Sequence, residues 1–399
     1  MKKFLALLLA AVMTLALVAC GGKDNGDANN DGKTTEKVAM ITDYGDITDQ
    51  SFNQTTYEAC KAYCEANGVD FNYYKPSGDS TAERVAMIEK AVEEGYTVIV
   101  MPGYAFGGAI KEAQDTYPNV KFVALDVSEY DITSEFYKKD ASGNATDELL
   151  SADKQPHVSK NVYSAVYKEE LCGYMAGYAA VKMGYKSLGF LGGMAVPAVQ
   201  RYGYGFVQGV DAAAADLGLT DVKVNYIYGG QFFGDADITA VMDTWYQGGT
   251  EVVFACGGGI YTSAVDAAKK VGAKVIGVDV DQAGVIAKYA GVDGMTVTSA
   301  MKGLAPTVKT MLTEIMAGNW DKYAGKVETL GLVSGDDPTQ NYVQLPMDTT
   351  QWTDSFTQDN YKSLVKDMFD GKITVSNDIT KSAADFATVI TVDDQGKIK

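Results

Sequence analysis

Histidine is nearly absent from this sequence, which has one, His157, among 399 residues. A single histidine cannot build a histidine-rich metal site or a Ser/His/Asp triad, so the commonest catalytic base is almost missing. Cations are scarce as well, because 34 Lys and Arg face 52 Asp and Glu, for a formal net charge of −18. This balance argues against a surface for nucleic acid or anionic lipid, and it disfavours a highly phosphorylated ligand.

Cysteine is sparse, and its spacing predicts no disulfide framework. Cys60 and Cys64 stand four positions apart on a predicted helix, which is a poor geometry for pairing, and no CxxC occurs. We predict that these two residues, Cys172 and Cys256 are small buried residues or free thiols. The protein must then rely on its apolar core, which 46% hydrophobic and 22% charged residues are sufficient to build.

The amino terminus carries the clearest signal. A basic start precedes an apolar run over 4–19 that is too short to span a bilayer comfortably and that ends in Leu-Val-Ala-Cys. This tetrapeptide resembles a bacterial lipobox, with Cys20 as the lipidated residue; an ordinary signal peptide or a buried helix is the alternative. We expect a signal peptide over 1–19, then the lipidated cysteine and a flexible tether over 20–35.

From Lys37 onward, short apolar runs alternate with segments of helical periodicity, and the series occurs twice. The runs are apolar throughout, as strands are in a parallel sheet covered by helices on both faces. Residues 128–160 interrupt the series with a polar, irregular stretch that is either an insertion or a functional flap. The pattern predicts an α/β protein of two doubly wound parallel-sheet lobes, with a cleft where their strands end.

Carboxylates and aromatic side chains are concentrated just after these predicted strands. Ligands of open α/β sheets bind outside the carboxyl ends of the strands, so these side chains are candidates for a site. The residues singled out are Asp43, Phe52, Asn53, Tyr104, Asp126, Arg201, Tyr202, Asp235, Gly257, Asp279 and Lys302. Carboxylates accept hydrogen bonds from ligand hydroxyls and aromatic faces stack on flat rings, so a sugar joined to a base needs both.

Each of these residues also has an ordinary structural interpretation. An aspartate can cap a helix or a turn, an aromatic can pack in the core, and Lys302 either balances the acids or is an exposed lysine. The run Gly257-Gly258-Gly259 lacks the spacing of a phosphate loop, and no further acids accompany Asp279 and Asp281. We therefore expect neither a metal nor a cofactor. The recurrence of acids and aromatics after several strands nevertheless favours a binding site over a purely structural role.

Five motifs, taken in order, resemble the basic membrane protein family of substrate-binding lipoproteins, the nucleoside-binding components of ABC importers. They are TDYGDITDQSFNQ, YKEELCGYMAG, VPAVQRYGYGFVQG, FFGDAD and GVDVDQ, within roughly residues 36–330. The resemblance implies a type I periplasmic-binding-protein fold, in which two lobes joined by three crossovers close on the ligand about a hinge. We expect a first lobe over 36–163 plus 296–325 and a second lobe over 164–295 plus 326–399.

The resemblance also implies which residues hold the base. By motif position, Phe52 would stack on one face of a nucleobase and Asn53 would contact its edge. Asp43 would lie nearby, at the end of the first strand, and Tyr202 would stack from the second lobe. The stretch YIYGGQFFGDAD is more aromatic than the family pattern, so base preference stays open.

A second group of residues is implied for the sugar. Asp126 and Asp279 would take polar groups of the ligand, and Asp279 with Lys302 would bind ribose hydroxyls. Glu170 and Asp235 match acids of the family that either touch the ligand or latch the lobes together.

We therefore expect a non-enzymatic, monomeric receptor, lipid-anchored on the extracytoplasmic face of the cell membrane. It would bind nucleosides, purine nucleosides above all, and deliver them to an ABC permease and its ATPase. A receptor for a free sugar or another small polar metabolite is the first alternative. A nucleoside hydrolase and a tethered sensor are alternatives from other classes.

Overall fold

The computed structural model describes residues 36–398, and strands form in it where the sequence has short apolar runs. The predicted signal peptide, the tether and the lipidation at Cys20 lie outside the described residues. From residue 36 onward the chain forms one compact unit. In this part of the chain, no helix combines the length and the apolar character needed to span a membrane.

The bounds of the regular elements follow. The fifteen strands within 36–398 are β1 (Val38–Ile41), β2 (Phe71–Tyr74), β3 (Val98–Pro102), β4 (Lys121–Leu125), β5 (Tyr137–Lys139), β6 (Ala145–Leu149), β7 (Val162–Tyr167), β8 (Ser187–Gly192), β9 (Lys223–Tyr228), β10 (Val252–Cys256), β11 (Lys274–Asp279), β12 (Thr296–Lys302), β13 (Lys326–Leu330), β14 (Val343–Gln344) and β15 (Thr391–Lys397). The eleven α-helices of the same range are α1 (Phe52–Asn67), α2 (Thr81–Glu93), α3 (Gly107–Thr116), α4 (Glu129–Thr133), α5 (Glu169–Lys182), α6 (Pro197–Leu217), α7 (Ala236–Gln247), α8 (Tyr261–Val271), α9 (Ala283–Ala290), α10 (Leu304–Met316) and α11 (Gln358–Phe369).

Two sheets organise these elements. The first has the order β13-β7-β4-β3-β1-β2 and is parallel throughout. The second has the order β14-β12-β11-β10-β8-β9-β15 and is parallel except for the short β14. Strands β1 and β3 are buried along their whole length, because helices cover both faces of the sheet. The predicted α/β fold with two parallel-sheet lobes is confirmed.

The chain passes between the two sheets three times, after β7, after β12 and after β13. These crossing points differ from the expected lobe boundaries. Residues 296–302, expected in the first lobe, pair with β11 of the second sheet. Residues 326–330, expected in the second lobe, pair with β7 of the first sheet, and residues 164–167, also expected in the second lobe, are part of β7. The apolar pattern of a strand does not specify which open sheet edge it joins, so local sequence could not locate these crossings.

Residues 128–160, predicted to be irregular, contain regular structure. Ser128 and Asp131 form a reciprocal capping box that starts the short helix α4. Further on, β5 and β6 form an antiparallel hairpin whose turn is organised by Asp140, which accepts hydrogen bonds from two backbone N–H groups over 142–144. The two strands are short and largely exposed, so they have too few apolar residues to be predicted as strands.

Helices α5 and α6 pack unusually closely on the second sheet. A Cβ at Gly173 of α5 would lie 2.2 Å from the backbone oxygen of Tyr202, and a Cβ at Gly205 of α6 would lie 2.1 Å from that of Glu170. Only glycine allows two helix backbones to approach to this distance. This crossing holds the first turns of both helices beside the cleft. The four cysteines of the described residues are buried and free, as predicted.

Candidate functional site

A cavity of about 680 Å³ lies between the lobes, where strands of both sheets end. Its walls come from the segments that follow β1, β3 and β4 in the first lobe and β8 to β12 in the second. Ten of the eleven residues singled out in the sequence line it: Asp43, Phe52, Asn53, Tyr104, Asp126, Arg201, Tyr202, Gly257, Asp279 and Lys302. Residues more than 200 positions apart in sequence are thus brought together.

Two aspartates after β1 organise the floor of this cavity. Asp43 accepts hydrogen bonds from the backbone N–H groups of Tyr44 and Gly45, both at 2.7 Å. Asp49 accepts from the backbone N–H groups of Asn53 and Gln54, at 2.9 and 3.0 Å, and so caps the start of α1. Asp43 and Asp49 therefore have a structural role, because their hydrogen bonds hold the first turn of α1 beside the cleft.

The side chain of Asn53 is oriented by the same two acids. Its Nδ2 donates to Asp43 at 3.1 Å and to Asp49 at 3.2 Å, which leaves Oδ1 on the other side. This Oδ1 is buried and has no hydrogen-bond partner among the described residues. An acceptor that is desolvated and unpaired costs free energy until a donor reaches it, so a ligand N–H or O–H is expected there.

Ser51 stands at the N-cap position of α1, but its hydroxyl does not cap the helix. It donates instead across the cleft to Oδ2 of Asp279, at 2.6 Å. A second link between the lobes lies beside it, where Nε2 of Gln282 donates to the backbone oxygen of Gln50 at 3.1 Å. These two contacts join the start of α1 to the end of β11.

A buried cluster of charges lies at the centre of the cleft. Lys302, at the end of β12, makes an ion pair with Asp126, and its Nζ is 3.5 Å from Glu169 and 3.6 Å from Asp279. Arg201 on α6 donates to the other oxygen of Glu169 at 2.7 Å. Lys302 and its three carboxylate partners are almost fully buried. Of the two interpretations open for this lysine, the structure supports the one in which it balances the acids.

The electrostatics of the cluster follow from these contacts. Burial by itself lowers the pKa of Lys302, but Asp126, Asp279 and Glu169 outweigh it and raise the pKa above its ordinary value. The lysine is therefore charged at neutral pH. Burial raises the pKa of Asp126 above its ordinary value, so the three carboxylates exceed the charge of Lys302 and Arg201 by at most one. Such a setting suits hydroxyl donors and does not attract phosphate.

The backbone has unusual φ angles at the same cleft. Three non-glycine residues in the described part of the chain have a positive φ: Gln50 at 57°, Asp126 at 60° and Asp279 at 63°. Asp126 directly follows β4, and Asp279 ends β11, which is the equivalent strand of the second lobe. Such conformations cost about 1–3 kcal/mol each and persist where the surroundings enforce them, most often at functional sites.

Two aromatic rings face the cluster from opposite lobes. The Nζ of Lys302 lies 4.8 Å from the ring centroid of Phe52 and 5.6 Å from that of Tyr202. Phe52 is only partly buried, so its ring is open to a ligand. Tyr202 is 1% exposed, and its hydroxyl donates to Asp279 at 3.3 Å. The Phe52 ring therefore offers the more accessible face.

Two predicted acids take other positions. Asp235 is absent from the cavity lining and forms the N-cap of α7, where it accepts from the backbone N–H of Ile238 at 2.9 Å. This outcome matches the capping interpretation of a strand-end aspartate. Glu170 is buried on α5 without lining the cavity, and its Oε2 has no hydrogen-bond partner within residues 36–398.

Sequence reasoning missed two residues of the site. Glu169 was passed over in favour of its neighbour Glu170, although it is Glu169 that pairs with Lys302 and Arg201. Acids are common in the first turn of any helix, so the sequence alone does not tell which of these two glutamates enters the charged cluster. Ser51 was not among the candidates, because a serine before a helix is an ordinary N-cap and its partner Asp279 is 228 positions away.

Comparison with known proteins identifies the family. A model of the Bmp family, described as ABC transporter substrate-binding protein PnrA-like, matches residues 36–346. The ABC transporter nucleoside-binding protein BmpA of Lactococcus lactis is 26% identical over 94% of this chain and 99% of its own length. Basic membrane protein A of Borreliella burgdorferi is 24% identical over 82% of this chain and 85% of its own.

Solved structures agree in fold. An ABC transporter solute-binding protein from Aeropyrum pernix superposes with a TM-score of 0.61 at 20% identity, over 88% of this chain and 90% of that one. One from Conexibacter woesei gives 0.60 at 20% identity, over 86% and 99%. The expected type I periplasmic-binding-protein fold is confirmed, and the chain belongs to the Bmp family of PnrA-like ABC transporter substrate-binding proteins.

Proposed function

We propose that this substrate-binding protein takes up a nucleoside, preferably a purine nucleoside, in the interlobe cavity and delivers it to an ABC permease. A lipid on Cys20 would hold it at the extracytoplasmic face of the membrane and so raise its effective concentration near the permease. The nucleoside-binding name of the Lactococcus lactis relative supports this proposal at the level of ligand class.

The observation that carries the proposal is the first turn of α1. Phe52, whose ring is partly exposed, and Asn53, whose buried Oδ1 has no hydrogen-bond partner in the described residues, are consecutive and both line the cavity. A nucleobase satisfies both at once, because its flat ring stacks on the phenyl group while an N–H at its edge donates to the amide oxygen.

The sugar would lie against the charged cluster. Oδ1 of Asp126 is a second buried acceptor without a hydrogen-bond partner in the described residues. Ribose hydroxyls donate to carboxylates, and their lone pairs can accept from the ammonium group of Lys302. The excess of acceptors over donors in the cavity favours a neutral, hydroxyl-rich ligand over a phosphate ester.

The test is isothermal titration calorimetry on a chain starting at residue 36, which is the compact unit, after unfolding and refolding to remove carried ligand. The titrants are adenosine, guanosine, inosine, uridine, free ribose and AMP. We expect binding of nucleosides, strongest for purines, with AMP at least tenfold weaker than adenosine. Binding of ribose alone, or of nothing in this set, would overturn the nucleoside assignment.

A receptor for a free sugar remains the second candidate, because the carboxylates of Asp126 and Asp279 would serve ribose equally well without a base. The ribose titration separates the two. Catalysis is tested in the same samples by chromatography after prolonged incubation. Quantitative recovery of the added nucleoside supports a receptor, whereas release of free base would support a hydrolase.

A further inference from the structure

The chain continues beyond the region that the family model matches, and this extension is built onto the second lobe. Strand β15 adds to the edge of the second sheet, parallel to β9. Between α11 and β15, residues 376–390 run alongside α6. We name this segment the C-terminal strap.

Polar contacts fasten the strap to α6 at both ends. Gln208 and the backbone of Ser376 exchange two hydrogen bonds, at 2.9 and 2.8 Å. Further along, Oδ1 of Asp211 accepts from three consecutive backbone N–H groups over 388–390, at 2.8 to 3.2 Å. Between these points the Phe386 ring packs on Tyr204, with centroids 5.3 Å apart.

Asp211 is the strongest of these attachments. The residue is 8% exposed, so its charge is largely removed from water. Burial alone raises its pKa, but the hydrogen bonds from Thr388 and the backbone amides outweigh burial and hold the pKa below its ordinary value. An ionised, buried carboxylate needs those donors, so the strap and α6 stabilise each other.

The strap reaches the cleft through one side chain. Ile379 lines the interlobe cavity, and it also packs against the core cluster that contains α6. The first turn of α6 contributes Pro197 and Val199 to the same cavity. The half-buried Ile379 extends this apolar part of the lining, and a ligand that covers its side chain removes apolar area from water.

We propose that the C-terminal strap is part of the ligand site and that Ile379 contributes an apolar wall that sets ligand affinity. This inference rests on the proposed function, because the nucleoside is the molecule that Ile379 would contact. The strap lies outside residues 36–346, so the proposal assigns binding to a part of the chain that the family model does not cover.

The contribution of Ile379 to affinity is tested by isothermal titration calorimetry on Ile379→Ala and Ile373→Ala. The titrant is the nucleoside that the wild-type protein binds best. Ile373 is a matched control because it is a partly buried isoleucine packed on the same core, precedes the strap and does not line the cavity. We expect Ile379→Ala to bind about fivefold to tenfold more weakly, as fits the loss of a few methylene contacts. Ile373→Ala should bind as wild type does, and both variants should keep similar melting temperatures.

A third variant, Asp211→Ala, detaches the far end of the strap. We expect faster amide hydrogen exchange over 388–390 and a loss of affinity similar to that of Ile379→Ala. Equal affinities for wild type, Ile379→Ala and Ile373→Ala would overturn the inference while leaving the proposed function standing. A wild-type protein that binds no nucleoside would overturn the proposed function and this inference with it.

Discussion

Phe52 is the side chain on which recognition of a flat ring depends most directly in the proposed site. Stacking of a base on an aromatic ring contributes about 1–3 kcal/mol. We expect Phe52→Ala to weaken nucleoside binding by this amount, roughly fivefold to 150-fold, as measured by calorimetry. Phe369→Ala is the control, since Phe369 is exposed and does not line the cavity. An unchanged affinity in Phe52→Ala would place the base elsewhere.

Glu170 makes the stability of the protein depend on pH. Burial raises its pKa from 4.5 to about 7. Between these values the unfolded chain loses the proton while the folded chain keeps it, so this group's contribution to stability falls as pH rises and is constant above about 7.

The substitution Glu170→Gln removes this ionisation. We expect the variant to lose less stability than wild type between pH 5.5 and 8, and to be more stable above pH 7 by up to about 3 kcal/mol. Urea unfolding at both pH values measures the difference, with Glu89→Gln, an exposed position of α2, as the control. Parallel pH profiles for wild type and Glu170→Gln would contradict the assignment.

At the scale of elements, the crossing of α5 and α6 depends on glycine. A Cβ at Gly205 would meet the backbone oxygen of Glu170, which cannot move aside as a flexible side chain would. We expect Gly205→Ala to lower the free energy of unfolding by at least about 1–3 kcal/mol, the range for overpacking. It would also weaken ligand binding, because α6 carries Arg201 and Tyr202.

Gly284 in α9 provides the control for that experiment. An added Cβ there has no neighbouring atom within 4 Å, and its backbone is not in the left-handed region. Gly284→Ala should therefore raise stability by about 0.5–1 kcal/mol in thermal or urea unfolding. A Gly205→Ala variant as stable as wild type would mean that the two helices can separate without cost.

Elements with strong local signals were predictable. Helix α1 begins after Ser51 and ends at Gly68, whose φ of 64° is the left-handed stop that glycine permits. The hairpin of β5 and β6 was not predicted, because its strands are short and largely exposed. Strands β12 and β13 were not singled out in the sequence, and the sheet each one joins depends on which edge is open.

At the scale of the whole molecule, the lobes are joined by hydrogen bonds that do not involve the ligand. The bond from Ser51 to Asp279 is 2.6 Å long and buried. Ser51→Ala removes it, and a hydrogen bond to a charged group contributes about 1.5–3 kcal/mol. We expect weaker nucleoside binding and a larger radius of gyration by small-angle X-ray scattering, because the closed arrangement loses a stabilising contact.

Thr349→Ala serves as the matched control for Ser51→Ala. Its hydroxyl donates to Asp281 at 2.7 Å, so it also loses a hydroxyl–carboxylate bond, but both residues belong to the second lobe. The radius of gyration of Thr349→Ala should equal that of wild type. If the two variants behave alike, the Ser51 bond does not contribute to closure.

Local sequence accounts for most of the alternating strands and helices and for the acids and aromatics at the strand ends, because apolar periodicity and the end of a strand depend on neighbouring residues. Whether an aspartate there caps a helix, as Asp235 does, or enters the cleft, as Asp279 does, depends on neighbours distant in sequence. The same holds for Lys302, whose burial beside three acids needs both lobes. Contacts between segments hundreds of residues apart exist only once the chain has packed, so the tertiary structure alone assigns them.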